Sequence, residues 1–168
     1  KYRQVVLLPL QFSQYYLFDG LCEYQSQFEY LTAVLDRVPP DVGVIVTLHP
    51  QDPFPDLDTV SYIRRTYPNV LLHEEFSAYN GSSDYLAGYA DAVITVSSKV
   101  GFMPLIWDNR LISLGRDFLT FMADATSLDN VEGVLRQQPR DRDSVLYWLL
   151  TRFSVPEAYL LSPTWFSA

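Results

Sequence analysis

The sequence predicts an α/β fold: a doubly wound, mainly parallel five-stranded sheet in the order 3-2-1-4-5, followed by a helical C-terminal tail. Three observations carry that prediction. Short apolar runs rich in β-branched residues recur at 5–10, 43–48, 70–72, 92–96 and 111–114. They are apolar on both faces, as strands covered by helices on each side are. Helix-length segments separate them, and after Gly115 the alternation gives way to helical spacing alone.

The first strand, Val5-Val6-Leu7-Leu8-Pro9-Leu10, delivers Gln11 at its carboxyl end. Residues 12–25 (FSQYYLFDGLCEYQ) lack a clean period and read as an aromatic loop with Asp19-Gly20 as a turn. Ser26 is an N-cap signal before Phe28, Leu31, Val34, Leu35 and Val38, and Pro39-Pro40 stops that helix. The second strand (GVIVTL) ends in His49-Pro50, followed by a proline-rich loop. Asp58 or Thr59 can cap a short helix carrying Val60, Ile63 and Tyr67. The third strand, 70–72, precedes a loop-like stretch, 73–84, and a short helix at 84–90. The fourth strand, 92–96, turns through Ser97-Ser98-Lys99 into a helix, and the fifth ends at Gly115. Three helices are predicted beyond it, near 118–123, 129–137 and 143–153, with Phe118, Phe121, Leu146, Trp148, Leu149 and Leu150 on their apolar faces. The apolar stretch 159–165 is expected to pack on something outside the sequence.

The 168 residues suit a single domain, with a βα core at 1–115 and a tail at 116–168. The chain begins with Lys1 and is expected to be a fragment of a longer or processed polypeptide. A formal charge of −8 with scattered Lys and Arg argues against nucleic acid as a partner. No run approaches the roughly 18–20 apolar residues of a membrane helix. The single Cys22 excludes an internal disulfide and a cysteine zinc site, and fits a reducing cytoplasm. His49 and His73 do not have a metal spacing, so no metal is expected.

In a 3-2-1-4-5 sheet, the first and fourth strands flank the point where the winding reverses, and ligands bind there at the strand carboxyl ends. Gln11, the 12–25 loop, His49 and Ser97-Ser98 follow predicted strands directly and gather on that edge. Ser98 opens a helix and either caps it or helps hold a phosphate with the backbone N–H groups of Ser98, Lys99 and Val100. Gly101 permits close approach of a ligand, or only helix–sheet packing. His49 either donates to a phosphate and acts as an acid or base, or is a plain loop histidine. Asp19 is either a nucleophile or base, or half of a turn. Glu74-Glu75 either face ribose hydroxyls or form a solvated pair.

Four of these segments stand together in register: Pro9-Leu10-Gln11, Leu48-His49-Pro50, Thr95-Val96-Ser97-Ser98-Lys99-Val100-Gly101-Phe102 and Ile112-Ser113-Leu114-Gly115-Arg116. Over residues 4–118 the chain resembles the capsular polysaccharide synthesis family, bacterial β-Kdo transferases of GT-B architecture. The resemblance implies the nucleotide-binding C-terminal half of a GT-B glycosyltransferase, a Rossmann-like domain. It implies CMP-Kdo as donor, a saccharide or glycolipid acceptor, an N-terminal half outside this sequence and no cofactor. His49 and Pro50 would meet the donor phosphate, Gln11, Ser97, Ser98, Lys99 and Gly101 would line the nucleotide, and Asp19 and His49 would be catalytic. Such an enzyme works in the cytoplasm and meets the inner face of the membrane through its acceptor. The chain departs from the family at Met103-Pro104, where Glu-Ala is usual, at Ser97, where Asn is frequent, and at Asp19, which fits only with a small insertion. These departures leave open a sialyl or polyol-phosphate transferase of the same architecture, or a degenerate, non-catalytic binding module.

Overall fold

The computed structural model describes residues 1–12, 16–49, 51–52, 54–73, 75–79, 81–155 and 159, with backbone alone at 17, 77 and 78. Its strands are β1 (Gln4–Pro9), β2 (Val42–Thr47), β3 (Val70–Leu72), β4 (Ala92–Thr95) and β5 (Arg110–Ser113). They form one parallel sheet in the order β3-β2-β1-β4-β5, the α/β architecture that the alternation predicts. β1 is the centre. It pairs with β2 from Gln4↔Val42 to Pro9↔Thr47, and with β4 at Val6↔Ala92 and Leu7↔Val93. Every residue of β4 is buried, as a strand covered on both faces must be.

Helices stand where the sequence reads loops in two places. The 12–25 stretch contains α1 (Tyr16–Leu21), so Asp19-Gly20 lies inside a helix and is not a turn. Phe18 explains this: it is fully buried with its ring 5.9 Å from that of Tyr30, and burial overrides the missing periodicity. The 73–84 stretch likewise contains α4 (Glu75–Ala78) and the start of α5 (Ser82–Ala87). In α2 (Gln27–Arg37), Ser26 caps the helix by accepting from Glu29 N. Leu31, Val34, Leu35 and Val38 of the expected stripe are buried. Phe28 is exposed, while Tyr30 is buried and donates its hydroxyl to Ile94 O at 3.0 Å. α3 (Leu57–Thr66) is capped by Asp56, earlier than either expected residue. After β4 a 3-10 turn, Lys99–Phe102, runs into α6 (Met103–Trp107).

The tail is less helical than its spacing suggests and covers both faces of the sheet. It holds a 3-10 turn (Thr120–Met122), α7 (Val131–Arg136), α8 (Asp143–Trp148) and a π-helical turn (Leu149–Phe153). Leu128, Val131, Val134 and Leu135 join the core on the α2 face. Leu119, Met122, Ala123 and Leu149 join Leu7, Val93 and Leu111 on the other face. Of the apolar residues expected to face the core from the tail, Leu149 is buried, whereas Phe118, Phe121, Trp148 and Leu150 are exposed. The tail is anchored by a buried ion pair between Arg142 and Asp124. Arg142 also donates to Met122 O and Asn109 O, and Asp124 accepts from Leu111 N of β5. Of residues 159–165, all but Tyr159 lie outside the described ones. Among the described residues, no helix is long and apolar enough to cross a membrane, and no group of three or more His, Cys, Asp and Glu is placed to hold a metal.

Candidate functional site

The carboxyl edge of the sheet is built from the residues that follow β1, β2, β4 and β5. At the point where winding reverses, Gln11 and Ser97 are joined in both directions. Gln11 Nε2 donates to Ser97 Oγ at 3.0 Å, and Ser97 N donates to Gln11 Oε1 at 3.2 Å. Both residues are buried. A side-chain amide, which offers a donor and an acceptor side by side, suits a bridge between two parallel strands that diverge beyond their last ladder bond. The pair forms a polar floor across the ends of β1 and β4.

Gln27, at the first turn of α2, belongs to the same floor and escaped the sequence reading. Its Oε1 accepts from Gln11 N at 3.3 Å, while its Nε2 is buried without a hydrogen-bond partner among the described residues. Buried donors are normally paired, so an orphan beside a strand edge marks a place for an acceptor. A glutamine directly after an N-cap serine was the available signal, and only the long-range contact to Gln11 distinguishes it from a solvated first-turn residue.

Ser98 begins the helical run after β4. Its N donates to Thr95 Oγ1 at 3.2 Å, and its Oγ accepts from Val100 N at 3.3 Å. The hydroxyl therefore caps the helix, and Lys99 beyond it is exposed. Gly101 makes its close approach within the protein: a Cβ there would lie 2.6 Å from Leu119 Cδ1 of the tail and 3.3 Å from Thr95 Cγ2. Met103-Pro104 fits the backbone where it stands. Pro104 falls in the first turn of α6, where no intrahelical bond needs its missing N–H.

His49 is half-buried, with its ring centroid 5.6 Å from that of Phe12. Its Nδ1 accepts from Gln51 N at 3.3 Å. In the neutral ring that bond leaves the proton on Nε2, which makes Nε2 a donor. Pro50 and Glu74 lie outside the described residues, and Glu75 is exposed at the start of α4.

Asp19 is set apart from this group. It is exposed on α1, which leads away from β1 towards the end of β5, where Arg116 N donates to Leu21 O at 2.8 Å. Among the described residues no hydrogen bond or ion pair links Asp19 to Gln11, His49 or Ser98. The structure thus joins Gln11 with Ser97, and places Asp19 on a separate helix.

Beyond Gly115, at the β5 end of the same edge, a cavity of roughly 960 Å³ opens between residues 22–24 after α1, the second half of α2, the turn after β5 and residues 126–129. Cys22, Tyr24 and Asp117 are in its wall. Burial pushes the Cys22 thiol, the Tyr24 hydroxyl and the Asp117 carboxyl up from their ordinary values. Sequence reasoning did not assemble this cavity, because its walls come from four separated segments.

No protein-family model matches the chain, and comparison with curated proteins and with solved structures finds no match.

Proposed function

We propose that the chain binds a nucleotide-activated sugar at the carboxyl edge of its sheet and serves as the donor half of a glycosyltransferase, with CMP-Kdo as the donor implied by the resemblance. One observation carries this reading: Gln11, Gln27 and Ser97 form a polar floor at the reversal of winding, with the start of the Ser98 helix beside it. A donor phosphate would lie over that floor, held by the Lys99 N–H, since Ser98 N and Val100 N are already bonded within the helix start, and by the Nε2–H of His49. Lys99, exposed at the helix start, adds a mobile positive charge. A saccharide or glycolipid acceptor, the N-terminal half and a cytoplasmic, membrane-facing setting belong to the same proposal.

Calorimetry with CMP tests it. The wild-type chain is expected to bind, and His49→Ala and Lys99→Ala are each expected to weaken binding about ten-fold, or about 1.4 kcal/mol. Equal binding by all three proteins would sink the assignment. A donor screen that follows nucleotide release separates Kdo transfer from sialyl or polyol-phosphate transfer.

A second reading, a non-catalytic binding module, is favoured by the separation of Asp19 from His49 and by Met103 in place of an acid. It predicts CMP binding without turnover. Turnover of a sugar nucleotide by the full polypeptide, abolished in Asp19→Ala, would eliminate it.

A further inference from the structure

One side of the molecule carries aromatic rings that the core does not use. α5, α6, α8 and the π-helical turn lie side by side over the sheet face that holds Leu7, Val93 and Leu111. Asn109, just after α6, ties them together: its Nδ2 donates to Ala87 O of α5 at 2.8 Å, and its O accepts from Arg142 Nη1, just before α8, at 3.0 Å. Ala87, Leu105 and Leu149 point into the core from these segments. Tyr85, Tyr89, Trp107, Tyr147, Trp148 and Phe153 stay between 46% and 70% exposed. Ile106 and Leu150 are exposed on the same segments. The rings are gathered into groups. Tyr85 and Tyr89 lie 5.2 Å apart with their hydroxyls at 3.0 Å, and Trp148 stacks on Phe153 at 5.2 Å. The Trp107 ring rests on the end of α5, 3.2 Å from where a Gly88 Cβ would stand.

We propose that this face is where two copies of the chain pair about a two-fold axis. Area and charge select a second copy as the occupant. At about 150–250 Å² per aromatic side chain, the six partly exposed rings present roughly 700 Å². The largest apolar patch of an ordinary monomer is roughly 300–600 Å², and a standard interface takes about 800 Å² from each partner. Ile106 and Leu150 supply the difference. Tyr, Trp and Phe are also the residues that concentrate in interface cores, where charges are depleted. A chain of formal charge −8 repels its copies everywhere except across a face of low charge. This is such a face: Arg152 is the only base in α5, α6, α8 and the π-helical turn, and the acids there are Asp84 and Asp143. Among the described residues, exposed Arg152, Asp143 and Asp108 have no ion-pair partner. A two-fold axis repeats every contact, so a match of Arg152 with an acid of the other copy forms twice. A single base is too little to attract an anionic lipid surface. The pairing uses none of Gln11, His49, Ser97 and Ser98, so it stands or falls independently of the donor site.

Sedimentation equilibrium of the chain between about 1 and 100 µM tests the pairing. The 19.3 kDa chain is expected to move to twice that mass across the range, with a Kd of about 10 µM. Tyr147→Glu and Leu150→Glu place a charge among the exposed rings, and each is expected to raise the Kd at least ten-fold with the circular dichroism unchanged. Should both fail to fold, Tyr89→Glu just after α5 is expected to do the same. Arg152→Asp leaves acid facing acid and is expected to raise the Kd about ten-fold. Leu57 is exposed on α3, whose Ile63 packs on the opposite sheet face. Leu57→Glu is therefore expected to pair like wild type. The proposal is overturned if the chain stays at 19.3 kDa at 100 µM, if the folded face variants pair like wild type, or if Leu57→Glu abolishes pairing. Flotation of a monomeric chain with phosphatidylcholine vesicles, lost in Tyr147→Glu, overturns it too and assigns the face to a membrane surface.

Discussion

Gly115 is the tightest backbone position on the carboxyl edge. A Cβ at this residue would lie 2.3 Å from Val96 O and 2.9 Å from Val96 C, backbone atoms of the residue directly after the β4–β5 ladder. Gly115→Ala is therefore expected to cost about 3 kcal/mol in urea unfolding, the upper part of the overpacking range. Gly101 provides the contrast, because its hypothetical Cβ meets the movable end of Leu119. Gly101→Ala is expected to cost about 1 kcal/mol. The reverse order of the two losses would contradict this account. Asp117 makes a pH-dependent contribution at the same scale. Burial raises its folded pKa above the unfolded value. Its contribution to stability is thus fully present below the unfolded pKa and is lost as pH rises through the raised folded value. Unfolding curves of wild type and Asp117→Asn across that acid range are expected to show the variant gaining on wild type as pH rises.

At the scale of the element, α2 illustrates how a local signal and a distant contact divide the work. Ser26 Oγ accepts from Glu29 N at 3.1 Å, and Glu29 Oε2 accepts from Gln25 N at 2.6 Å, so side chains at both ends of the first turn satisfy backbone donors. Ser26→Ala is expected to lower stability by about 1 kcal/mol. The same change at Ser98 has a second consequence. Ser98 caps the 3-10 turn that opens the proposed phosphate site, so Ser98→Ala is expected to lower both the melting temperature and the affinity for CMP. A lower melting temperature with unchanged CMP affinity would reduce Ser98 to a cap alone.

At the scale of the whole molecule, the Arg142–Asp124 pair decides whether the tail stays on the sheet. The two side chains are buried and bind each other, Met122 O, Asn109 O and Leu111 N. A lone charge left in that place has no water to solvate it. Arg142→Met is expected to destabilise the chain by about 3–5 kcal/mol, measured by urea unfolding. It is also expected to expose the tail beyond residue 116 to trypsin. A loss below about 1 kcal/mol would mean that the apolar contacts of Leu119, Met122 and Leu149 hold the tail without the pair. The tail covers both faces, so its release is expected to disturb the α2 side and the α6 side together.

The strands, their parallel pairing and the Ser26 cap were legible in the residues because they depend on local pattern. A strand buried on both faces writes itself as an unbroken apolar run, and a cap needs only a hydroxyl three residues ahead of its donor. The gathering of Gln11 and Ser97 also followed from strand order, since residues after adjacent parallel strands lie on one edge. Other features waited for the tertiary structure. α1 forms because Phe18 finds Tyr30, and Tyr30 joins the buried face of α2, where its hydroxyl finds Ile94 O. Gln27, Asp117 and Arg142 read as ordinary surface residues until distant segments close over them. Local sequence determined which segments became strands and where the carboxyl edge of the sheet would lie. Only the tertiary structure decided which polar groups on that edge are paired, which are orphaned and where a cavity opens, because these depend on contacts between segments far apart in the chain.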